Sequence, residues 1–443
     1  MVPSILAAAA VLVQQAPGAP AADSARVVRA VSQTVLTNVV VNRLDALLFG
    51  METQRVSLRS WGNNLRTGWE WDENGFNTNL FMHPYHGSTY FNAGRDNGLN
   101  FWESAPLSFL GSWIWEYLGE TNRPALNDFF MTSFGGIALG EMFHRVSALV
   151  RDNQAQGAGW WRRELATFPL DPLGGVNRLL GRSRIALQPN PRAHTPGTVV
   201  VRLHAGARLA PDSQGQPYAG HPAAMLDLAY GNPWSEPFRE PFDVFTLRAA
   251  VGKGAVNLLR VSGRLYGKNL NRPERRLQHV FLVNQRFDYI NSPAYQVGGQ
   301  SVEFGIASRW RLGSRFGLRT QVFGDVILLG GIDAPGAGFG LRNYDFGPGS
   351  GGRFLMALEH SGAPFLIFAA QSEYVHAISG ASADHYINSA NLEFTIPVRR
   401  QLGITFQGIG YTRTSRYTDR PDDQRRHPEL RLFLSWTSIS HPQ

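Results

Sequence analysis

The sequence predicts an antiparallel β-barrel of outer-membrane type, with about twelve strands, preceded by an α-helical N-terminal domain. Three observations carry that expectation. The spacing of apolar residues changes from helical to alternating near residue 198, the alternating runs are about ten residues or longer, and the later connections alternate between short and long. The composition is compatible with it. The chain has 443 residues, 17% charged and 12% aromatic, which is not a disordered composition. It has no cysteine, which excludes disulfides, thiolate metal sites and thiol nucleophiles. The net charge of +8 is carried almost wholly by Arg, with Lys only at 253 and 268, and is discounted as a sign of nucleic acid, which is not expected as a partner.

In chain order, residues 1–22 read as an export signal. The apolar run Ile5–Val13 is followed by a small, Pro-containing stretch, Ala16–Ala22, in which a signal peptidase could cut. Residues 23–162 read as a Trp-rich helical domain, since eight of the eleven Trp precede residue 162. From Trp102 to Gly119 the serines at 104, 108 and 112 form one stripe, where small residues allow close helix contact. A second helix is expected from Ala125 to Leu149, with Asn127 or Asp128 as N-cap, a Gly136/Gly140 stripe, and an i,i+4 ion pair between Glu141 and Arg145. Residues 163–197, rich in Pro and Gly, read as an irregular connector.

Residues 198–439 read as the transmembrane β-barrel. Strands are expected near 198–209, 223–230, 242–251, 256–267, 277–289, 299–312, 316–329, 350–360, 364–376, 386–397, 401–412 and 428–438. Phe304, Ile306 and Trp310 oppose Glu303 and Arg309, and Leu392, Phe394 and Ile396 oppose Glu393 and Thr395. Sandwich strands average five or six residues, whereas a tilted strand crossing a bilayer needs about nine to eleven. One face would meet lipid, and the other, with Asp325, Glu359 and Glu373, would line a wet lumen. Short turns near 313–315, 361–363 and 398–400 would be periplasmic, placing the protein in the outer membrane with its helical domain on the periplasmic side, at the barrel mouth or in the lumen as a plug. The early connections break this alternation, as if the count there were off by two. Arg272, Arg275, Arg276, Arg420, Arg425 and Arg426 are loop residues suited to anionic lipopolysaccharide, so the expected partners are outer-membrane lipid and a small envelope ligand.

Chemistry is expected in the helical half. His83 and His86, three apart, with Glu116, Glu120 and Asp128, are the candidate catalytic residues of an envelope enzyme acting on lipid or glycan. His83, His86, Glu116 and Glu120 are weak candidates for a metal, the only cofactor the residues suggest, because Pro84 intervenes and no HExxH motif is present. Arg95, Asn127, Thr132, Glu141 and Arg145 complete a polar set suited to binding, or to a buried network in which arginines and carboxylates neutralise one another. A serine nucleophile lacks its elbow, since Leu110-Gly111-Ser112-Trp113-Ile114 has no second Gly. The leading expectation is therefore a non-enzymatic barrel with a structural, binding or transport role; a selective channel would need a clear lumen.

The segments Trp69–Arg95 (WEWDENGFNTNLFMHPYHGSTYFNAGR), Gly111–Glu120 (GSWIWEYLGE), Asn127–Arg145 (NDFFMTSFGGIALGEMFHR) and Asp171–Arg182 (DPLGGVNRLLGR) occur in that order. Over about residues 60–182 the chain resembles the bacterial domain-of-unknown-function (DUF) 3943 family. The resemblance implies an envelope location and a β-rich C-terminal region, and it implies no established activity.

Overall fold

The computed structural model describes residues 24–440 apart from 49, 51, 182–184, 211–218, 253–254, 272–275, 293–294 and 335–341. The expected signal segment, residues 1–22, lies outside the described residues. The chain divides into two units: residues up to 72 together with 81–195, and residues 73–80 together with 196–443.

The first unit is helical: α1 (Ser24–Leu48), α2 (Leu58–Thr67), α3 (His83–Asp96), α4 (Phe101–Ile114), α5 (Leu126–Phe130), α6 (Gly136–Val150), α7 (Gly157–Thr167) and α8 (Pro172–Leu180). A π-helical turn, Trp115–Gly119, continues α4, and another, Met131–Gly135, joins α5 to α6. Asn100 starts α4 through a capping box, accepting from the Glu103 amide at 3.0 Å while Glu103 accepts from the Asn100 amide at 2.8 Å. The small residues serve packing. A Cβ built on Gly136 would lie 2.4 Å from the Gly87 carbonyl carbon, so α3 and the start of α6 touch backbone to backbone. Ser104 lies against Gly94 of α3, and the Ser108 hydroxyl donates to the Gly87 carbonyl at 3.4 Å, so the serine stripe is a contact surface.

Two local expectations need correction. Ala125 occupies the N-cap of α5, and Asn127 and Asp128 stand inside its first turn with their side chains committed sideways. The stretch read as an irregular connector contains the end of α7 and all of α8, because Asp171 accepts from the Gly174 amide at 3.0 Å and Pro172 suits the first turn.

The second unit is a closed antiparallel barrel: β1 (Val199–Ala210), β2 (Ala219–Tyr230), β3 (Phe245–Gly252), β4 (Ala255–Asn269), β5 (Leu277–Asn291), β6 (Gln296–Arg311), β7 (Phe316–Asp333), β8 (Tyr344–His360), β9 (Ala363–His376), β10 (Ala383–Arg399), β11 (Leu402–Tyr417) and β12 (Asp423–Ser440). Each strand pairs with the next, and β1 closes on β12 from Val199↔Ser440 to Leu209↔Leu430. Every expected strand is present. The broken alternation is real and the count of twelve stands. The rim that holds the ends of β1 and β12, here the terminal rim, carries the compact turns at 312–315, 361–362 and 400–401, but also the long connection 231–244. At the opposite, distal rim β3 ends at Gly252 and β4 starts at Ala255.

Inside and outside follow from contacts that skip strands. Arg286 of β5 pairs with Glu373 of β9, and His385 of β10 contacts Asp345 of β8 at 3.0 Å, so these side chains face the lumen. The alternate positions face outward. Near the terminal rim they are apolar and exposed, as at Leu392, Phe394, Ile404, Phe406, Leu432 and Leu434. Towards the distal rim on β9–β12 they become Ser372, Asn388, Thr412, Thr414 and Arg416. β10 has 17 residues, which extend about 56 Å along the strand, well beyond the length a bilayer requires. On β9–β12 only the half nearer the terminal rim has a lipid-type wall.

The segment 73–80 joins the barrel unit on its outer face. Tyr289 donates to Asn77 Oδ1 at 2.9 Å, Asn79 donates to the Tyr344 hydroxyl at 2.6 Å, Phe76 contacts both tyrosine rings, and Leu80 covers Gly298 and Gly331. Those four barrel residues alternate with lumen-facing ones on β5–β8 near the distal rim, so this piece of the helical half straps the wall and does not enter the lumen.

Candidate functional site

Within the helical unit, two π-helical turns and the start of α3 bring polar side chains together. The π turn is uncommon and recurs at functional positions. Pro84 occupies the first turn of α3 and leaves His83 at its leading edge. His83 Nε2 stands 3.4 Å from Asp128 Oδ2, and its Nδ1 stands 3.4 Å from the Thr132 hydroxyl, so neither ring nitrogen has a hydrogen bond of ordinary length in these pairs. Asp72, His83 and Asp128 offer ligand atoms that all lie within 4.8 Å of one another. Asn127 holds this arrangement by accepting from the Asp72 amide at 2.8 Å and donating to Asp128 Oδ1 at 2.6 Å.

The other expected residues take different partners. Glu116 accepts from the Ala125 amide at 2.7 Å, tying the π turn to the start of α5. Glu120 accepts from the Trp115 indole at 2.8 Å and from Gln54 at 3.3 Å. His86 contacts the Tyr90 hydroxyl at 2.9 Å and lies edge-on to Trp115. Arg95 and Arg145 both bind Glu141, at 2.8 and 2.7 Å, and form a satisfied set of their own. His83 therefore shares ligand-forming geometry with Asp72 and Asp128, whereas His86, Glu116 and Glu120 each have another local role. Asp72 was missed, although it stands in the Trp69–Arg95 segment; its chain neighbours gave no helical spacing to place it.

Electrostatics separate these groups. Burial pushes Asp128 well above the usual carboxylate range, reinforced by Asp72 and Glu116, and burial with Glu120 does the same to Glu116. Burial lowers His83 to about 4 and His86 to about 3, so both imidazoles are neutral at pH 7. Glu141 behaves oppositely: Arg95 and Arg145 outweigh its burial and hold it below the usual range. Among the described residues no Arg or Lys forms an ion pair with Glu116, Glu120 or Asp128. A neutral imidazole and two carboxylates suit a first-row divalent cation, and ligand atoms of a tetrahedral ion at about 2.0–2.2 Å are about 3.3–3.6 Å apart, as His83 and Asp128 are.

The lumen is built differently. Arg286 binds Asp288 at 2.6 Å, Glu303 at 3.2 Å, Asp325 at 3.3 Å and also Glu373, while Arg353 binds Glu303 at 2.9 Å. His204, Asp227 and Glu393 form a second ligand-capable group, but Arg248 binds Asp227 at 2.5 Å and Arg202 binds Glu393, so its charge is already answered. At the terminal rim the connection 231–244 turns inward. Trp234 packs on Val280, Leu282, Ala307 and Phe323, with the Arg309 and Arg319 guanidiniums 6.0 and 5.8 Å from its ring. Among the described residues, cavities of about 140 and 160 Å³ are lined by lumen-facing side chains. The basic loop residues divide between the rims: the loop of Arg276 is terminal, Arg420, Arg425 and Arg426 lie at the distal rim, and Arg272 and Arg275 lie outside the described residues.

The fold and its apolar outer band define an outer-membrane-type β-barrel protein. Residues 68–173 match the family model described as "Domain of unknown function (DUF3943)". No curated protein matches the sequence. Among solved structures the chain is similar to the NanC porin in a rhombohedral crystal form, with a TM-score of 0.28, 9% identity, and coverage of 55% of this chain and 100% of that one. It is also similar to the outer membrane channel DcaP of Acinetobacter baumannii, with a TM-score of 0.25, 7% identity and coverage of 55% and 98%. Likenesses of this size carry no functional argument, and the barrel rests on its own strand pairing.

Proposed function

We propose that the protein resides in the outer membrane as a closed barrel with a binding or structural role in the envelope, that its helical unit is on the periplasmic side, and that outer-membrane lipid and a small envelope ligand are its partners. The observation that carries this reading is the neutralised lumen. Arg286 reaches carboxylates on its own strand and on β6, β7 and β9, and Trp234 occupies the terminal end, so the barrel's own side chains neutralise and constrict the interior. In planar bilayers the purified protein is expected to show no conductance steps; a stable open current would make it a channel instead.

The compact turns and the barrel's chain ends share the terminal rim, as on a periplasmic face, which supports the placement of the helical unit. The chain lacks cysteine, so one introduced in the exposed part of α7 reports sidedness cleanly. An impermeant maleimide is expected to label Leu165→Cys only after the outer membrane is permeabilised. Labelling in intact cells would put the unit at the cell surface.

A second reading, an envelope enzyme acting on lipid or glycan, is favoured by one specific observation. Asp72, His83 and Asp128 offer ligand atoms within 4.8 Å of one another, with His83 and Asp128 3.4 Å apart, which suits a metal-assisted hydrolysis or transfer. Titration of the purified protein with Zn²⁺ or Mn²⁺ is expected to show one tight site that Asp128→Asn abolishes; no such site would remove this reading.

A further inference from the structure

The first helix of the described chain is buried the wrong way round for a water-soluble unit. α1 has 25 residues and is charged only at Arg26, Arg29, Arg43 and Asp45. Its buried side is polar: Thr34, Thr37, Asn38 and Asn42 face the rest of the helical unit. These side chains are used there. Asn42 donates to the Gly119 carbonyl at 2.8 Å and to Gln54 at 3.0 Å, and Asn38 accepts from the Tyr90 hydroxyl at 2.9 Å. Its exposed side carries Val28, Leu36, Val39, Val40, Leu44 and Leu47, the last 79% exposed. An amphipathic helix in water shows the reverse pattern, and an apolar face of this size, interrupted by Ser32 and Arg43, marks a surface with an apolar partner.

The face continues onto α8. Gln33 of α1 donates to Asn177 of α8 at 2.7 Å, so the two helices meet at this point. α8 buries Gly174 and Gly175 and exposes Val176, Leu179 and Leu180. No described helix is long and apolar enough to cross a membrane. A helix with an apolar face and flanking arginines can instead lie in the plane of an interface, its side chains reaching the acyl boundary and its guanidiniums the phosphates. α1 carries three Arg against one Asp, the charge complement of an anionic phospholipid surface.

We propose that α1 and α8 together form a monotopic face that lies in the headgroup–acyl boundary of an anionic phospholipid leaflet. The polar side of α1, turned inward, ties down the π turn after α4. This inference rests on the reading of the barrel as membrane-embedded, and its test separates the two.

The cysteine-free chain allows single spin labels at Leu36→Cys, Leu47→Cys and Leu180→Cys in the full chain, reconstituted into phosphatidylethanolamine/phosphatidylglycerol vesicles. Leu392→Cys and Leu434→Cys on the barrel wall serve as references. The expected result is loss of relaxation by a water-soluble nickel chelate at all five sites, with relaxation by molecular oxygen retained. α1 and α8 labels that respond to nickel as a solvent-exposed loop does overturn the inference. So do labels that are immobilised and closed to both reagents, which would mean that a second copy or the barrel wall covers the face. In either case, reference labels that still behave as lipid-facing leave the barrel reading standing. Nickel access at Leu392→Cys and Leu434→Cys would overturn the barrel reading itself. Replacing phosphatidylglycerol with phosphatidylcholine is expected to restore nickel access at the helical sites alone; unchanged protection would remove the electrostatic part of the proposal.

Discussion

The barrel lumen and the helical unit both bury carboxylates, and they neutralise them in different ways. In the lumen, Asp288, Glu303, Asp325 and Glu373 converge on Arg286, with Arg353 and Arg260 as further cations. In the helical unit, Glu116, Glu120 and Asp128 have amide, indole and imidazole neighbours, and their proton affinity rises instead. A buried charge must be paired, protonated or given to a ligand, because the desolvation penalty exceeds what an isolated carboxylate recovers. The lumen has taken the first course, so its polar residues read as architecture. The helical cluster is left with the second and third, and that difference makes it the better place to look for chemistry.

The sharpest way to break the comparison is to remove the central cation. Arg286→Met should leave several lumen carboxylates uncompensated and destabilise the barrel by about 3–5 kcal/mol, seen as loss of heat-modifiable migration or a lower denaturant midpoint. A barrel as stable as wild type would show that the lumen ion pairs are not structural. A smaller effect is expected at His86, held near 3 by burial and by His83. Its folded value lies below its unfolded value of 6.5, so the neutral form is favoured in the native state. The stability this contributes is present above pH 6.5 and is lost as pH falls from 6.5 towards 3. Stability measured by Trp fluorescence, which reports mainly the helical half, should fall by about 1.4 kcal/mol per pH unit less steeply in His86→Gln than in wild type between pH 6 and 4. Equal slopes would mean that His86 is not enclosed. The smallest effect is expected at Asp128. Asparagine is the uncharged isostere of a carboxyl whose proton affinity burial raises, so metal-free Asp128→Asn should lie within about 1 kcal/mol of wild type or be more stable. A large loss would mean that the carboxylate is held by a cation the comparison has missed.

The barrel was legible because its signal is local. Alternation along Val302–Leu312 or Leu392–Ile396 is written residue by residue, and strand length distinguishes a bilayer-crossing sheet from a sandwich without knowledge of any partner strand. The site was legible in composition and not in grouping. His83 and Asp128 were singled out, but Asp72 is brought to them by tertiary contacts: Glu70 pairs with the backbone at 124–126, and Asn127, far from Asp72 in sequence, accepts its amide. The N-cap reading of Asn127 and Asp128 failed for the same reason: a residue suited to capping is also suited to a tertiary hydrogen bond, and here the tertiary partner won. The helix at Pro172–Leu180 was hidden by its glycines, which are there because Asp171 and Arg151 crowd Gly174.

What the sequence determined by itself is therefore the class of protein: a twelve-stranded outer-membrane-type barrel behind a helical domain, because side-chain period and strand length are properties of neighbouring residues. What only the tertiary structure decided is which charges meet, which rim the 231–244 connection closes, that residues 73–80 strap the outside of the wall, and that α1 turns its polar side inward. Those outcomes depend on contacts between residues tens to hundreds apart, for which a single chain carries no periodic signal.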